Sequence, residues 1–543
     1  MKKRKFWGWG YEDQLLTEEE DKSIERRIAQ NFSLDEVQSV PIPKAEEIEL
    51  PKSRVSIPSN LNNVLTEDHL ERLNHSYGKS FPDIARSILG IFPSPPDLVA
   101  YPNSQAEVES TLDWADQNKI AVIPYGGGSS VCGGVETDVG DDFRAVISMD
   151  MRKMDKILEI DKESRAARIE AGILGPDLEN QLKEHDLTLR HFPQSFEHST
   201  LGGWIATRSG GHYATLYTHI DDFVESTTTV TPSGVIESRR LPGSGAGPSP
   251  DRMIIGSEGI LGVITESWIR LQNRPTFRSS CSVYFSDYAQ ALNATRLISQ
   301  SALFPANCRL LDANEAMFNG AGDGSKHLLI INFESADHDM QPWLDRALEI
   351  ASSEGGEYEL PKEKLADSHK SGASGNWRNS FIRAPYYREA SIRRGIVQDT
   401  FETSITWDKG YEFIETLKNR AQAAIKEITN KDTTVTCRLT HTYPDGLAPY
   451  FTYSAFATPE TMLDVWKEIK IATNEICVSE QGTVTHHHAV GRDHRVKGYD
   501  LQRPEGYKEM LLAAKEKIDP NSILNPGVLI DPKGYSHKHW MEV

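Results

Sequence analysis

Three glycine-rich segments between residues 124 and 264 constrain this chain more than any other feature. The first, Pro124-Tyr125-Gly126-Gly127-Gly128-Ser129-Ser130, follows directly on a short apolar run that reads as a strand. Consecutive glycines let a backbone turn several N–H groups toward one point, making an anion nest suited to a pyrophosphate. The second runs from Gln194 and Ser195 through Ser199 and Thr200 to Thr207, Arg208, Ser209 and Gly210, enclosing a Gly202-Gly203 pair. The third is Gly256-Ser257-Glu258-Gly259-Ile260-Leu261-Gly262-Val263-Ile264. One GGG run is an ordinary turn, but three such loops in one stretch are hard to explain as separate turns. A fourth run, Gly243 to Gly247, is flanked by Pro242, Pro248 and Pro250, so no helix can begin there and it reads as a surface loop. No Walker lysine follows any glycine run, which leaves nucleotide-triphosphate hydrolysis unsupported.

The surrounding chain reads as α+β. Ser104 and Glu107 form a capping-box pattern ahead of Val108, Leu112 and Ala115, and short runs at 145–149, 157–160 and 167–173 read as strands. Longer helical patterns at 344–352, 411–428 and 459–476 mark a second unit laid over the first. The expected organisation is a largely helical N-terminal extension (1–90), a glycine-rich domain (91–275), an overlying domain (276–500), and a C-terminal helix and turn (501–543) packing back on the glycine-rich domain. Lys and Arg number 59 against 79 Asp and Glu, a formal charge of −20, so no nucleic-acid partner is expected. Five cysteines lie far apart and read as reduced thiols. With no signal-type apolar region and no 18-residue apolar run, a cytoplasmic protein is expected, with peripheral membrane contact and homodimer formation left open.

In this order the three loops resemble the vanillyl-alcohol-oxidase-type FAD-binding domain, which implies an FAD-binding domain over 91–275 and an α+β cap over 276–500. The resemblance assigns the cofactor to Pro124 through Ser130, to Gln194, Ser195, Ser199, Thr200, Thr207, Arg208, Ser209 and Gly210, and to Glu258 through Ile264. Some members tether the flavin through a histidine in the first loop. Here Gly128-Ser129 takes that place, so FAD is expected to be non-covalent.

Segments outside that domain are more specific. Trp7-Gly8-Trp9-Gly10-Tyr11-Glu12-Asp13, Cys308 to Asp312, Phe401-Glu402-Thr403-Ser404 with Trp407-Asp408, Cys437 to Tyr443, and Thr485-His486-His487-His488-Ala489-Val490-Gly491 together resemble the alkyldihydroxyacetonephosphate synthases. That resemblance implies a transferase that replaces the acyl chain of acyl-dihydroxyacetone phosphate with a fatty alcohol. Its partners would be a phosphate-bearing lipid-like substrate and a fatty alcohol, with the flavin as an electron sink. It also implies that Arg383 clamps the substrate phosphate and that Arg309 helps position the flavin. Tyr450, twelve residues after Arg438, is implied as the acid–base group, with Tyr453 as fallback. His191 matches a histidine near the flavin. The alternating Thr483-Val484-Thr485 predicts that the histidine triplet continues a strand, His486 and His488 on one face and His487 on the other, lining the flavin pocket and holding no metal. The competing readings are an FAD-linked 2-hydroxy-acid dehydrogenase of the D-lactate or glycolate type, and a non-catalytic scaffold with Trp7, Trp9 and Tyr11 as interfacial anchors.

Overall fold

Strong β-formers in short runs, separated by a helix of period 3.6, build a parallel layer beneath the first glycine loop. The computed structural model describes residues 3–359 and 384–543. Its first sheet has the order Leu65–Thr66, Leu98–Ala100, Ala145–Asp150, Ile120–Tyr125, the last three parallel. The crossover helix Gln105–Gln117 buries Val108, Leu112 and Ala115 against this sheet. Its cap is only half of the expected box: the Ser104 side chain accepts from the Glu107 N–H, but the Glu107 carboxylate reaches past Ser104 to the Asn103 N–H at 2.6 Å. The chain's last segment returns to the same sheet, where the Val122 N–H donates to the Ile523 carbonyl and the Asn525 N–H to the Val122 carbonyl. The first glycine loop therefore leaves the carboxyl end of a doubly supported strand, the usual place for a ligand in such sheets.

An antiparallel sheet of order Ile157–Asp161, Ala166–Glu170, Val263–Arg270, Val224–Thr231, Gly234–Glu237 carries the third loop at the start of Val263–Arg270. The overlying unit is an antiparallel sheet of order Phe277–Phe285, His327–Ser335, Asn307–Leu311, Thr436–Thr442, Gly446–Ala455, Val397–Glu402. Helices Tyr288–Gln300, Gln341–Ser353, Gly410–Thr429 and Met462–Ser479 bury their apolar stripes with one face of it in a single core. On Gly446–Ala455, period-two alternation sends Phe451, Tyr453 and Ala455 into that core, with Phe451 stacked on Phe401 at 4.6 Å. Burying each such ring contributes about 1.5–3 kcal/mol.

The N-terminal segment corrects one expectation. Trp7 and Trp9 are 8% and 7% exposed, buried with Phe6 in the core cluster of the overlying unit, so they cannot act as interfacial anchors. The sequence shows their aromatic character but not the groove that receives them. Helix Glu18–Phe32 has a complete Thr17/Glu20 capping box and buries Ile24, Ile28 and Phe32 against Ala390 and Ile396. The Gly243–Gly247 run is an exposed loop, all five cysteines are unpaired and buried, and no described helix is long and apolar enough to cross a membrane.

Candidate functional site

Gly126, Gly127 and Gly128 lie where side chains cannot. A Cβ on Gly127 would collide with the His198 carbonyl, one on Gly126 with the Thr200 hydroxyl, and Gly128 adopts φ +69° against the Tyr125 ring. Among the described residues, the N–H groups of Gly127, Gly128 and Ser129 find no protein acceptor, while the loop lines a cavity of about 1340 Å³. Orphaned N–H groups converging on a cavity wall are what an anionic group requires.

Across the cavity, strand register assembles the opposite wall. Tyr450 pairs with Arg438 on one side and with Glu402 on the other, so residues far apart in sequence form one row. The Arg438 guanidinium lies 4.0 Å over the Tyr450 ring and pairs with Glu315. The Thr400 hydroxyl donates to the Tyr450 oxygen at 3.1 Å. Burial raises the Tyr450 pKa, while Arg438 and then the Thr400 bond pull it back. Tyr453, on the opposite strand face, packs in the core but also borders the cavity; among the described residues its buried hydroxyl has no partner, and burial raises its pKa well above the ordinary value.

The histidine triplet is not a strand. The N–H groups of His486, His487 and His488 all donate to one Glu402 oxygen at 2.9, 3.0 and 3.0 Å, and the Thr485 hydroxyl donates to the same atom. A strand would send alternate N–H groups to opposite sides; the buried carboxylate curls them toward itself instead. Burial opposes the Glu402 charge, yet its pKa lies well below the carboxylate range, held there first by His487, whose ring nitrogen Nδ1 lies 2.9 Å from the carboxylate. The rings consequently converge: the Nδ1 atoms of His486 and His487 are 3.1 Å apart, and ring nitrogens of His441, His486 and His487 lie within 4.8 Å of one another, a spacing a metal ion could bridge. The expectation that the triplet splits across two faces is therefore overturned. Tyr443 links His219 and His486, its hydroxyl 2.9 Å from His486 Nε2. Burial first, and then neighbouring imidazoles, push His441 and His486 well below their ordinary pKa, and burial takes His488 to about 3. These three rings are neutral at pH 7.

The residues named from the sequence divide by position. Pro124 through Ser130, Gln194, Ser195, Ser199, Thr200, Thr207, Ser209, Gly210, Glu258, Gly259, Gly262, Val263, Ile264, Arg309, Tyr450, His487 and His488 all line the cavity. Arg208 turns outward to Asp221 at 3.1 Å, because its left-handed backbone ends helix Leu201–Thr207. Ile260 and Leu261 are apolar and pack in the core below the third loop. His486 stands behind His487, against Tyr443. His191 packs between Trp204 and Phe223 with Nε2 2.8 Å from the Ser209 hydroxyl, and burial lowers its pKa to about 3. Arg383 lies outside the described residues. Glu258 also braces the far wall: its carboxylate accepts from the Val490 and Gly491 N–H groups at 2.9 and 2.8 Å, and burial raises its pKa to about 7. Glu402, His441, Tyr443 and His219 were not among the candidates. Glu402, His441 and Tyr443 stand in segments that signal the family, but only the tertiary structure reveals what they touch.

Residues 96–238 match the family model described as FAD binding domain, and residues 274–529 the one described as FAD linked oxidases, C-terminal domain. The chain is 33% identical over 488 residues to alkyldihydroxyacetonephosphate synthase of Dictyostelium discoideum, covering 86% of this chain and 78% of that protein. The chain belongs to the alkyldihydroxyacetonephosphate synthase family. A solved alkyldihydroxyacetonephosphate synthase superposes with a TM-score of 0.79 at 26% identity, covering 96% of this chain and 98% of that one. p-Cresol methylhydroxylase shares the fold alone, at a TM-score of 0.66 and 14% identity over 96% of this chain and 99% of that one. The α+β architecture of this synthase-family chain is thus an FAD-binding domain of the vanillyl-alcohol-oxidase type under an α+β cap. FAD is its cofactor, and the glycine loop fits it: the orphaned N–H groups suit a diphosphate, and side chains at Gly126 and Gly127 would close the approach.

Proposed function

We propose that this protein exchanges the acyl chain of an acyl-dihydroxyacetone phosphate for a fatty alcohol, with FAD held non-covalently. The observation that carries this reading is the continuity of one cavity of about 1340 Å³ from the glycine nest to the Tyr450 and imidazole wall. That space exceeds the ~300–1,000 Å³ of a single small-ligand pocket, so a flavin and an acyl-bearing substrate can share it. FAD, when bound, supplies an electron sink for the substrate carbon. Tyr450 takes the proton from C1: its oxygen already accepts from Thr400, and Arg438 over the ring favours the phenolate. The rings of His487 and His488, 5.9 and 5.4 Å from the Tyr450 ring, offer hydrogen bonds to substrate oxygens. A C1–oxygen bond to the departing carboxylate breaks and one to the incoming alcohol oxygen forms, the alcohol proton is released with the carboxylate, and Tyr450 returns its proton to C1, so no external oxidant or reductant is needed. The family resemblance assigns the phosphate clamp to Arg383.

Anaerobic mixing with acyl-dihydroxyacetone phosphate is expected to perturb the flavin spectrum without accumulating fully reduced flavin. Full reduction by D-lactate or glycolate, with no response to the phosphate ester, would replace this reading with the dehydrogenase. The non-covalent state rests on Ser129 and on the inertness of Cys132, whose sulfur is buried 3.2 Å from the His488 carbonyl and whose pKa burial and then Glu258 raise well above normal. Acid precipitation should release all flavin into the supernatant, and colour retained by the pellet would show a tether.

A further inference from the structure

We infer that Arg4, with Lys79 beside it, is a positioning residue for the FAD diphosphate, acting on the glycine loop from behind. The inference rests on FAD binding and not on the exchange reaction. Residues 4–11 double back on themselves: Arg4 bridges Tyr11 in antiparallel fashion, and the Lys5 N–H donates to the Gly10 carbonyl at 3.1 Å. Buried Phe6, Trp7 and Trp9 and the 3.1 Å Lys5–Glu389 ion pair fasten this hairpin to the body. Its placement brings the Arg4 guanidinium to the Gly127 carbonyl, with Nη2 donating at 2.6 Å.

In a trans peptide the carbonyl of one residue and the N–H of the next point in opposite directions. Holding the Gly127 carbonyl on Arg4 therefore turns the Gly128 N–H away from Arg4, and among the described residues that N–H has no protein acceptor. The other end of the loop is held in the same way, by the Lys79 N–H donating to the Ser130 carbonyl at 2.6 Å. Two of the loop's carbonyls are thus occupied by groups outside the cavity, which keeps them from facing an incoming anion.

Charge points the same way. Lys5 is neutralised by Glu389 and Arg152 by Asp150, but among the described residues neither Arg4 nor Lys79 forms an ion pair. Burial and then Arg152 lower the Arg4 pKa, and burial and then Arg4 lower that of Lys79 to about 8. Two buried cations that form no ion pair among the described residues, beside a nest of N–H groups without protein acceptors, constitute a site that gains from a bound dianion.

The test uses full-length protein stripped of flavin and titrated with FAD and, separately, with riboflavin, which shares the ring system but carries no phosphate. Arg4→Met should weaken FAD about 10- to 100-fold, the range for losing a hydrogen bond to a charged group, and leave riboflavin within about two-fold. Lys79→Met, which leaves the hairpin's packing intact, should weaken FAD by a smaller factor and flatten the salt dependence of FAD binding. Equal losses for both flavins, or no loss of FAD affinity, would overturn the inference. Should Arg4→Met fail to fold, the FAD-to-riboflavin ratio of Lys79→Met decides alone.

Discussion

Replacing Tyr450 with phenylalanine is expected to cut turnover by about 10²–10⁴-fold, the range for losing a general base, with FAD still bound and the fold intact. Only one hydroxyl is lost, and the ring keeps its place under Arg438 in the paired strands. The decisive measurement is exchange of solvent deuterium into C1 of bound acyl-dihydroxyacetone phosphate. Wild type should exchange and Tyr450→Phe should not. Because burial raises the Tyr450 pKa above its ordinary value near 10, the phenolate is a minor form at neutral pH, and wild-type exchange should climb from pH 6 to pH 8. Tyr453→Phe should exchange nearly as wild type, since that ring packs on the core side of the strand. Equal exchange by wild type and Tyr450→Phe would remove Tyr450 as the base, and no exchange by wild type would count against the transferase reading itself.

Glu402→Gln should destabilise the protein by about 2–4 kcal/mol and disorganise the histidine wall, because charge-assisted hydrogen bonds are roughly twice as strong as neutral ones and several converge on this carboxylate. The amide keeps the volume and one acceptor oxygen but loses the charge that gathers three consecutive N–H groups. The folded-state pKa of Glu402 is depressed, so its contribution is fully present above the unfolded value near 4.3 and fades as pH falls through the lower folded value. The stability gap between wild type and variant should therefore be flat above about pH 5 and narrow below pH 4 in urea unfolding. Turnover should fall with stability, since His487 and His488 lose their backbone anchor. A gap under about 0.5 kcal/mol at pH 7 would show that the carboxylate is incidental to the loop.

The glycine loops were legible in the sequence because their constraint is local. Where a Cβ would meet a carbonyl or ring, only glycine serves, and a run such as Gly126-Gly127-Gly128 advertises this in one dimension. Helices Gln341–Ser353 and Gly410–Thr429 were legible for the same reason, since a 3.6-residue apolar stripe is written in the residues themselves. The family segments likewise placed Tyr450 and the triplet in one site without showing how they meet.

Tertiary structure decided the rest. That Glu402 gathers the triplet follows from the register Arg438, Tyr450, Glu402 across three strands and from a segment some 84 residues away bending to reach a buried charge, and no local pattern encodes that pairing. Trp7 and Trp9 carry the same composition whether they sit in a membrane interface or in a core, and the groove that receives them is made by other parts of the chain. Arg208, Ile260 and Leu261 belong to the right loops but face away from the cavity, because a loop's neighbours set the side to which each residue points. Backbone tolerance and apolar period are properties of short stretches and so were determined by sequence alone; which donor finds which acceptor depends on distances that exist only once the sheets have closed over the cavity.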